Sequence, residues 1–150
     1  MFRGQFTHAI DQKGRVSFPA RFREQLDSQG ETRLVATKSP FECCLHVYTL
    51  AEWERFVAHV GTLPRLDPSL VRFRRMYIAP AVDLEVDAAG RVRLTPEFRS
   101  YARMERDVVW SAGSGPIVEL WAKAEFDLAL QIPHEELSEF AAKVQELIRI

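Results

Sequence analysis

Residues 6–18 read FTHAIDQKGRVSF, and residues 82–94 read VDLEVDAAGRVRL, so one pattern stands twice in the chain. In both stretches, apolar residues alternate with other residues before and after the shared sequence Asp-x-x-Gly-Arg. The similarity continues to a Phe-Arg pair, at 22–23 in the first copy and at 98–99 in the second. Repetition at a fixed offset indicates two copies of one structural unit.

A second matching stretch gives the extent of each copy. Residues 47–53 and 120–126 both have an apolar–aromatic pair followed, after three residues, by Glu and an aromatic residue. Their offset is three residues smaller than that of the first pair, which indicates an insertion or deletion in an intervening turn. We therefore divide the chain into a first unit at 1–62, a helical connector at 63–76, a second unit at 77–128 and a C-terminal amphipathic helix at 129–150.

Each copy has the pattern of a small β-rich unit with short helices. Alternating apolar residues predict strands. The glycine of Asp-x-x-Gly-Arg favours a tight turn because glycine adopts positive φ, and a proline begins a short helix. Strands are predicted at 5–10, 16–18, 32–38, 44–48, 82–86, 92–94, 107–112 and 117–121. Helices are predicted at 19–26, 49–61, 96–102, 123–130 and 135–149, with another that begins at Asp67-Pro68.

The two units are expected to share one core. A unit of about 50 residues buries too little apolar surface to be stable by itself. Strands of both copies that interleave around a pseudo-twofold axis would bury that surface together, as in a dimer fused into one chain. We therefore predict an α+β, β-rich fold with short flanking helices and a C-terminal helix.

The charge of the chain is nearly balanced but unevenly distributed. The formal net charge of −1 is, taken alone, unfavourable for nucleic-acid binding. Residues 1–25 carry five Lys or Arg against two acids, residues 65–106 nine Arg against six acids, and residues 107–150 three basic residues against eight acids. The basic residues before 107 are mostly arginine, whose planar guanidinium contacts phosphate or guanine through two hydrogen bonds.

Enzymatic and metal-binding functions have no support in the sequence. The four histidines lack metal-ligand spacing to one another, to cysteine or to an acid. Cys43 and Cys44 are adjacent, so a disulfide between them would be strained, and we interpret both as small apolar residues. The glycine-rich residues 111–116 lie between two predicted strands and lack the lysine of a phosphate loop, so we predict a hairpin turn there. We expect no metal, no cofactor and no catalytic site.

Membrane association is not expected either. No apolar run approaches the roughly 20 residues that cross a bilayer. The first residues, MFRGQ, lack the apolar stretch of a signal peptide. We therefore expect a cytoplasmic protein.

The repeated Asp-x-x-Gly-Arg turn is the strongest candidate for a functional site. We predict that the aspartates and glycines hold the turns and do not themselves contact a ligand; these residues are Asp11, Gly14, Asp87 and Gly90. Arg15, with Lys13 beside it, would project from a hairpin tip and reach a phosphate or a base edge. Arg3 is expected to add to this surface.

The second copy of the turn is less basic than the first. Residues 88–89 are alanines where the first copy has Gln12 and Lys13. We therefore expect DNA contact mainly through the first copy, with Arg91 as the second-copy counterpart of Arg15. Arg93 is either a further second-copy contact or an exposed strand residue.

These motifs together resemble the MraZ family of bacterial regulators. The residues that carry the resemblance are MFRG at 1–4, D-x-KGRV-x-x-P at 11–19, L-x-x-Y-x-x-x-x-W at 45–53, RR at 74–75 and D-x-x-GR at 87–91. The similarity covers essentially residues 1–128 in the family's order and spacing. A single Asp-x-x-x-Arg would carry no weight, whereas two copies with these flanking residues are specific.

The resemblance implies a fold and a function. The family has two SpoVT/AbrB-type domains, folded as swapped-hairpin β-barrels, and its DNA-binding arginine motif maps onto residues 11–15. Its members form rings, bind direct repeats in the promoter of their own operon in the division and cell-wall gene cluster, typically repress it, and associate with the nucleoid. A ring also answers the charge objection, because several modest basic patches act together on one double-stranded DNA.

Three alternatives remain open at this point. The first is an oligomeric protein-interaction scaffold without sequence-specific DNA binding, for which the amphipathic C-terminal helix would be the docking element. The second is an enzyme of related barrel shape, which a metal or nucleotide bound to the purified protein would favour. The third is a toxin–antidote regulator of the same superfamily; such proteins usually have one unit, so the fused repeat disfavours it.

Overall fold

The computed structural model describes residues 2–149. Its strands are β1 (Gln5–Ala9), β2 (Arg15–Ser17), β3 (Arg33–Lys38), β4 (Leu45–Thr49), β5 (Val82–Glu85), β6 (Arg91–Arg93), β7 (Asp107–Ser114) and β8 (Ile117–Ala122). Its α-helices are α1 (Ala20–Ser28), α2 (Leu50–Gly61), α3 (Pro68–Phe73), α4 (Pro96–Tyr101), α5 (Lys123–Ala129) and α6 (Leu137–Ile148). Arg74–Ile78 continue α3 as a π-helix, and His134–Glu136 form a 3-10 turn before α6. The predicted α+β class is confirmed.

The strand order interleaves the two copies. Six strands form one antiparallel sheet in the order β1-β7-β8-β4-β3-β5, and β2 and β6 form a separate two-stranded ribbon. The first strand of each copy pairs with the third strand of the other, β1 with β7 and β5 with β3. The central pair is β4 and β8. Exchanging the copies reproduces this order in reverse, so the arrangement has the predicted pseudo-twofold symmetry.

The sheet is open at its ends in the part of the chain that the structure describes. β1 and β5 lie at opposite edges, so strand pairing does not close the sheet into a barrel. The β2–β6 ribbon packs on the sheet and connects its two edges, because β2 contacts the edge strand β1 and β6 contacts the edge strand β5.

One face of the sheet packs against the ribbon and the helices α1 and α4. Val16 and Val92 from the ribbon, Phe22 from α1 and Phe98 from α4 are buried in one cluster with Trp110 of β7. Equivalent residues of both copies therefore lie in the same cluster. A single core shared by the two copies is what the small size of each unit predicts.

The helices begin where their capping residues predict. The Thr49 hydroxyl accepts a hydrogen bond from the Glu52 backbone N–H at the start of α2, at 3.2 Å. The Asp67 carboxylate caps α3 in the same way, with Pro68 as the first helical residue. Such caps pair backbone N–H groups that have no partner within the helix.

Two segments differ from the prediction. β1 and β2 pair with strands of the other copy and not with each other, so the Asp-x-x-Gly-Arg turn joins two sheets and is not a hairpin tip. β7 continues to Ser114, so the turn predicted at 111–116 is reduced to Gly115-Pro116.

The C-terminal helix α6 is exposed along its length, with only Val144 half-buried. It presents apolar side chains to solvent, among them Leu137, Phe140 and Leu147. Within residues 2–149, the helices are too short or too polar to span a bilayer.

Candidate functional site

The β2–β6 ribbon brings arginines of both copies together. The strands are antiparallel, and Arg15 lies opposite Arg93, Val16 opposite Val92, and Ser17 opposite Arg91. Alternate residues of a strand face opposite sides, so both valines face the core while Arg15, Arg91 and Arg93 share the outer face. The exposure agrees, since each valine is 1% exposed and the arginines are half-buried or exposed.

Asp11 organises the first turn through its side chain. One carboxylate oxygen, Oδ1, accepts hydrogen bonds from the backbone N–H groups of Lys13 and Arg15, each at 2.9 Å. The other oxygen, Oδ2, accepts from Nε of Arg15 at 2.8 Å. The hydrogen bond from the Arg15 backbone is the main reason that the pKa of Asp11 lies below its usual value. The carboxylate stays ionised and orients the Arg15 guanidinium.

Asp87 repeats this backbone arrangement in the second copy. Its Oδ1 accepts from the backbone N–H groups of Ala89 and Arg91, each at 2.9 Å. The distance from Arg91 Nε to Asp87 Oδ2 is 3.8 Å, so the side-chain contact is an ion pair without a hydrogen bond. The Arg91 backbone N–H is the main cause of the lowered pKa of Asp87, and the charge of Arg15 contributes, which places the two turns within electrostatic reach.

Each turn is also completed by the other copy. The backbone oxygen of Gly14 accepts a hydrogen bond from Leu94 N–H at 2.8 Å, and that of Gly90 accepts from Phe18 N–H at 2.9 Å. Both glycines have positive φ, +84° at Gly14 and +77° at Gly90, where a side chain would be strained. The two turns therefore form one unit whose halves depend on each other.

Two half-buried arginines beside the turns were not singled out from the sequence. A terminal nitrogen of Arg99 donates to the Gln12 backbone oxygen at 3.5 Å, and its Nε lies close to Gly14. Arg23 occupies the same place beside Gly90. Both belong to the repeated Phe-Arg pair, so their recurrence was a visible signal, but nothing in the sequence showed that each side chain reaches the turn of the other copy.

Substitution of the two turn glycines is expected to have unequal effects. A Cβ at Gly14 would lie 2.5 Å from the backbone oxygen of Leu94, whereas at Gly90 it would lie 1.7 Å from the end of the flexible Arg23 side chain. Positive φ costs an alanine about 1–2 kcal/mol at either position. Gly14→Ala should lose a further 1–3 kcal/mol or so, because backbone must move to relieve the overlap.

The free energy of unfolding in urea measures this difference. Gly30→Ala is the matched control, because Gly30 has φ +67° and no neighbouring atom within 4 Å of an added Cβ. We expect Gly90→Ala to lower the free energy of unfolding by about as much as Gly30→Ala does. Gly14→Ala should be the least stable of the three variants. Equal losses for all three variants would contradict the close approach of the ribbon to Gly14.

The ribbon and its turns form a basic surface despite the net charge of −1. Asp11 and Asp87 are the acids within the turns, and Glu24, Asp27 and Glu31 line a cavity beside the second turn. The basic residues on or beside the ribbon are Lys13, Arg15, Arg23, Arg91, Arg93 and Arg99. Lys13 is exposed within the first turn. Arg3 lies beside α1, where it lines a shallow cavity with Arg21 and Glu24.

The free donors of this surface suit anionic ligands. Among residues 2–149, the Arg15 guanidinium is hydrogen-bonded to Asp11 alone, through Nε, so its two terminal nitrogens are left to donate outward. Arg93 is exposed beside it. Paired donors of this kind match the oxygens of a phosphate or the O6 and N7 atoms of guanine.

Comparison with known proteins gives consistent matches. The family model described as "MraZ protein, putative antitoxin-like" matches residues 1–75 and again residues 77–148. The chain is 38% identical over 148 residues to the transcriptional regulator MraZ of Thermomicrobium roseum, covering 99% of this chain and 100% of that protein. It is 37% identical over 129 residues to the transcriptional regulator MraZ of Coxiella burnetii (86% and 84% covered). It is 39% identical over 142 residues to that of Thermoanaerobacter sp. (93% and 95% covered).

Proposed function

The chain belongs to the MraZ family, and from this membership we propose that it is a sequence-specific DNA-binding transcriptional regulator. The observation that carries the proposal is the β2–β6 ribbon, which presents Arg15, Arg91 and Arg93 on one outward face. The major groove of B-DNA admits a two-stranded β-ribbon, and arginine is the residue that most often contacts guanine there.

The structure supports a division of tasks among the basic residues. The Arg15 guanidinium is hydrogen-bonded to Asp11 of its own turn, so it is oriented before a ligand arrives, and Arg91 forms a longer ion pair with Asp87 at 3.8 Å. Oriented donors suit base edges, whereas exposed, mobile cations suit the phosphate backbone. We assign Arg15 and Arg91 to base edges, with Arg15 closest to the bases, and Lys13 and Arg93 to phosphates.

Assembly into a ring homo-oligomer forms part of the proposal. One chain of net charge −1 has a weak overall attraction for DNA, and several ribbons on one face of a ring would act together on one double-stranded DNA. The exposed apolar side chains of α6 support self-association, because a monomer seldom leaves such a surface in water. We propose that the C-terminal segment 129–150 packs against a neighbouring subunit.

The family resemblance supports a regulatory target. We propose that the protein acts in the cytoplasm, in association with the nucleoid, and represses its own operon in the division and cell-wall gene cluster. Its site would be a set of direct repeats in the promoter. A repeat spacing matched to the distance between subunits lets successive ribbons dock on one DNA.

Fluorescence anisotropy with the DNA immediately upstream of this protein's own gene tests the proposal. The control is a scrambled DNA of equal length and composition, and both are titrated over a salt series. We expect the upstream DNA to bind more tightly and its affinity to fall as salt rises, because bound phosphates release counterions. Sedimentation velocity of the same sample gives the mass of the assembly, which should exceed that of one chain.

Other outcomes would contradict the proposal in different parts. Equal, weak binding to both DNAs would leave the fold as described and favour the protein-interaction scaffold. If a monomer binds the upstream DNA preferentially, the protein is still a DNA-binding regulator, but the proposed ring assembly is wrong.

A further inference from the structure

The outer face of the central strand pair carries a cluster of metal-ligand types. Cys44 and His46 are two residues apart, Cys44 just before β4 and His46 within it, so their side chains share a face, and Glu119 lies directly opposite His46 on β8. One donor atom from each lies within 4.8 Å of the other two. The sequence suggested no metal site, because Glu119 joins the others only through the register of β4 and β8.

We propose that Cys44, His46 and Glu119 bind a divalent zinc ion. Thiolate, imidazole and carboxylate are the three donor types that zinc takes in proteins. Three protein ligands leave a fourth tetrahedral position for water or for a group from another molecule. The soft thiolate disfavours magnesium and calcium, which bind oxygen ligands.

Neighbouring side chains hold two of the ligands in place. His46 Nδ1 and the Tyr77 hydroxyl oxygen are 2.7 Å apart, and the Tyr77 and Tyr48 hydroxyl oxygens are 2.6 Å apart. When Nδ1 donates to Tyr77, Nε2 keeps its lone pair for a metal. Trp121 Nε1 donates to Glu119 Oε1 at 3.2 Å, which fixes that carboxylate. Zinc ligands in proteins are oriented by outer contacts of this kind.

Burial raises the pKa values of two of the three proposed ligands. Burial is the main cause of the raised pKa of Cys44, and the negative charges of Glu119 and Glu42 add to it. Burial also raises the pKa of Glu119, with a smaller contribution from Glu42. His46 and Glu119 are half-buried, so an ion can enter from solvent.

Binding requires a small movement and the loss of one proton. Zinc–ligand bonds of about 2.0–2.3 Å place tetrahedral ligand atoms roughly 3.3–3.8 Å apart. Donor atoms that lie within 4.8 Å of one another must therefore close by up to about 1.5 Å through side-chain rotation. The Cys44 thiol gives its proton to the buffer and its sulfur forms the bond to zinc, so one proton is released for each ion bound.

The position of the site suggests its consequence. His46 and Glu119 are equivalent residues of the two copies and face each other where the pseudo-twofold axis crosses the sheet. Their strand neighbours Leu45 and Leu120 are buried in the core on the other face, the face that carries the ribbon. A bound ion would therefore join the first copy to the second, away from the DNA-binding ribbon.

Titration of the tag-free, metal-free protein with Co²⁺ tests the site. We expect one equivalent per chain to give the intense visible bands of tetrahedral cobalt and a near-ultraviolet thiolate-to-cobalt band, both removed by Zn²⁺. Zn²⁺ should also raise the melting temperature, because an ion that binds only the folded chain stabilises it. Cys44→Ser and His46→Gln should weaken binding by more than the roughly 10–100-fold that loss of a supporting contact costs.

Cys43→Ser is the matched control. Cys43 is the neighbouring thiol, is partly exposed, and lies outside the three-residue cluster. It should bind Co²⁺ and Zn²⁺ like the wild type. Glu119→Gln keeps the size of the side chain and should retain the thiolate band with weaker affinity. If the wild type gives no cobalt bands, or if Cys44→Ser retains the thiolate band, the site does not exist. Circular dichroism of each variant separates loss of a ligand from loss of the fold.

Discussion

Arg15→Ala is expected to abolish specific DNA binding while the fold and the assembly stay unchanged. The substitution removes the oriented guanidinium and leaves the Asp11 carboxylate, which repels phosphate, at the same place. A bidentate arginine–guanine contact is worth about 1–3 kcal/mol. With two or more subunits on one DNA, the loss should reach roughly a hundredfold or more in affinity.

The fold should tolerate the change because Arg15 has little part in the core. Its side chain is 37% exposed, and ion pairs at this exposure stabilise a protein only weakly. The turn keeps the hydrogen bonds of Asp11 Oδ1 to two backbone N–H groups. Urea unfolding and sedimentation should therefore match the wild type.

Two further variants separate arginine chemistry from charge. Arg15→Lys keeps the charge but loses the planar fork, so it should retain weak binding and little preference for the upstream DNA. Arg72→Ala removes the same charge from an exposed position on α3 and should bind normally. Anisotropy measures all three. If Arg72→Ala weakens binding as much as Arg15→Ala does, net charge and not the ribbon governs binding.

The two-copy architecture could be predicted because it depends on local patterns and size. Alternating apolar residues gave the strands, and the small units required a shared core. The pairing partners could not be predicted, since strand pairing between distant segments leaves no local pattern. Residues 11–15 form a tight turn in sequence and structure alike, but β2 pairs with its own counterpart β6 and not with β1. The expectation of a hairpin therefore failed.

The same limit applies to the candidate site. Lys13 and Arg15 stood out because the turn motif repeats, and the contact was expected mainly through the first copy. The antiparallel register places Arg93 opposite Arg15, so the surface is built from both copies. That register cannot be read from either copy alone. Arg3 was grouped with the turn on charge, and the structure places it beside α1.

Trp110→Ala is expected to destabilise the fold strongly, because it removes the largest side chain from the centre of the shared core. Trp110 is fully buried on β7, between Phe6 of β1 and Leu120 of β8 in the strand pairing. Its ring meets Phe18 edge-on at 5.1 Å, and its Nε1 donates to the Ser17 backbone oxygen at 3.0 Å. Removal of a buried tryptophan costs about 3–5 kcal/mol, a large part of the roughly 5–15 kcal/mol that stabilises a typical domain.

The hydrogen bond to Ser17 gives this residue a second role, since it ties the ribbon to the sheet. Trp110→Phe keeps most of the buried ring but leaves the Ser17 oxygen without its donor, so it should lose about 1–3 kcal/mol. Trp53→Ala is the comparison, because Trp53 is only half-buried on α2 and should cost less than Trp110→Ala. The free energy of unfolding in urea orders the three variants. If Trp53→Ala proves as destabilising as Trp110→Ala, the shared core is not centred on Trp110. Contacts other than those of Trp110 must then hold the ribbon to the sheet.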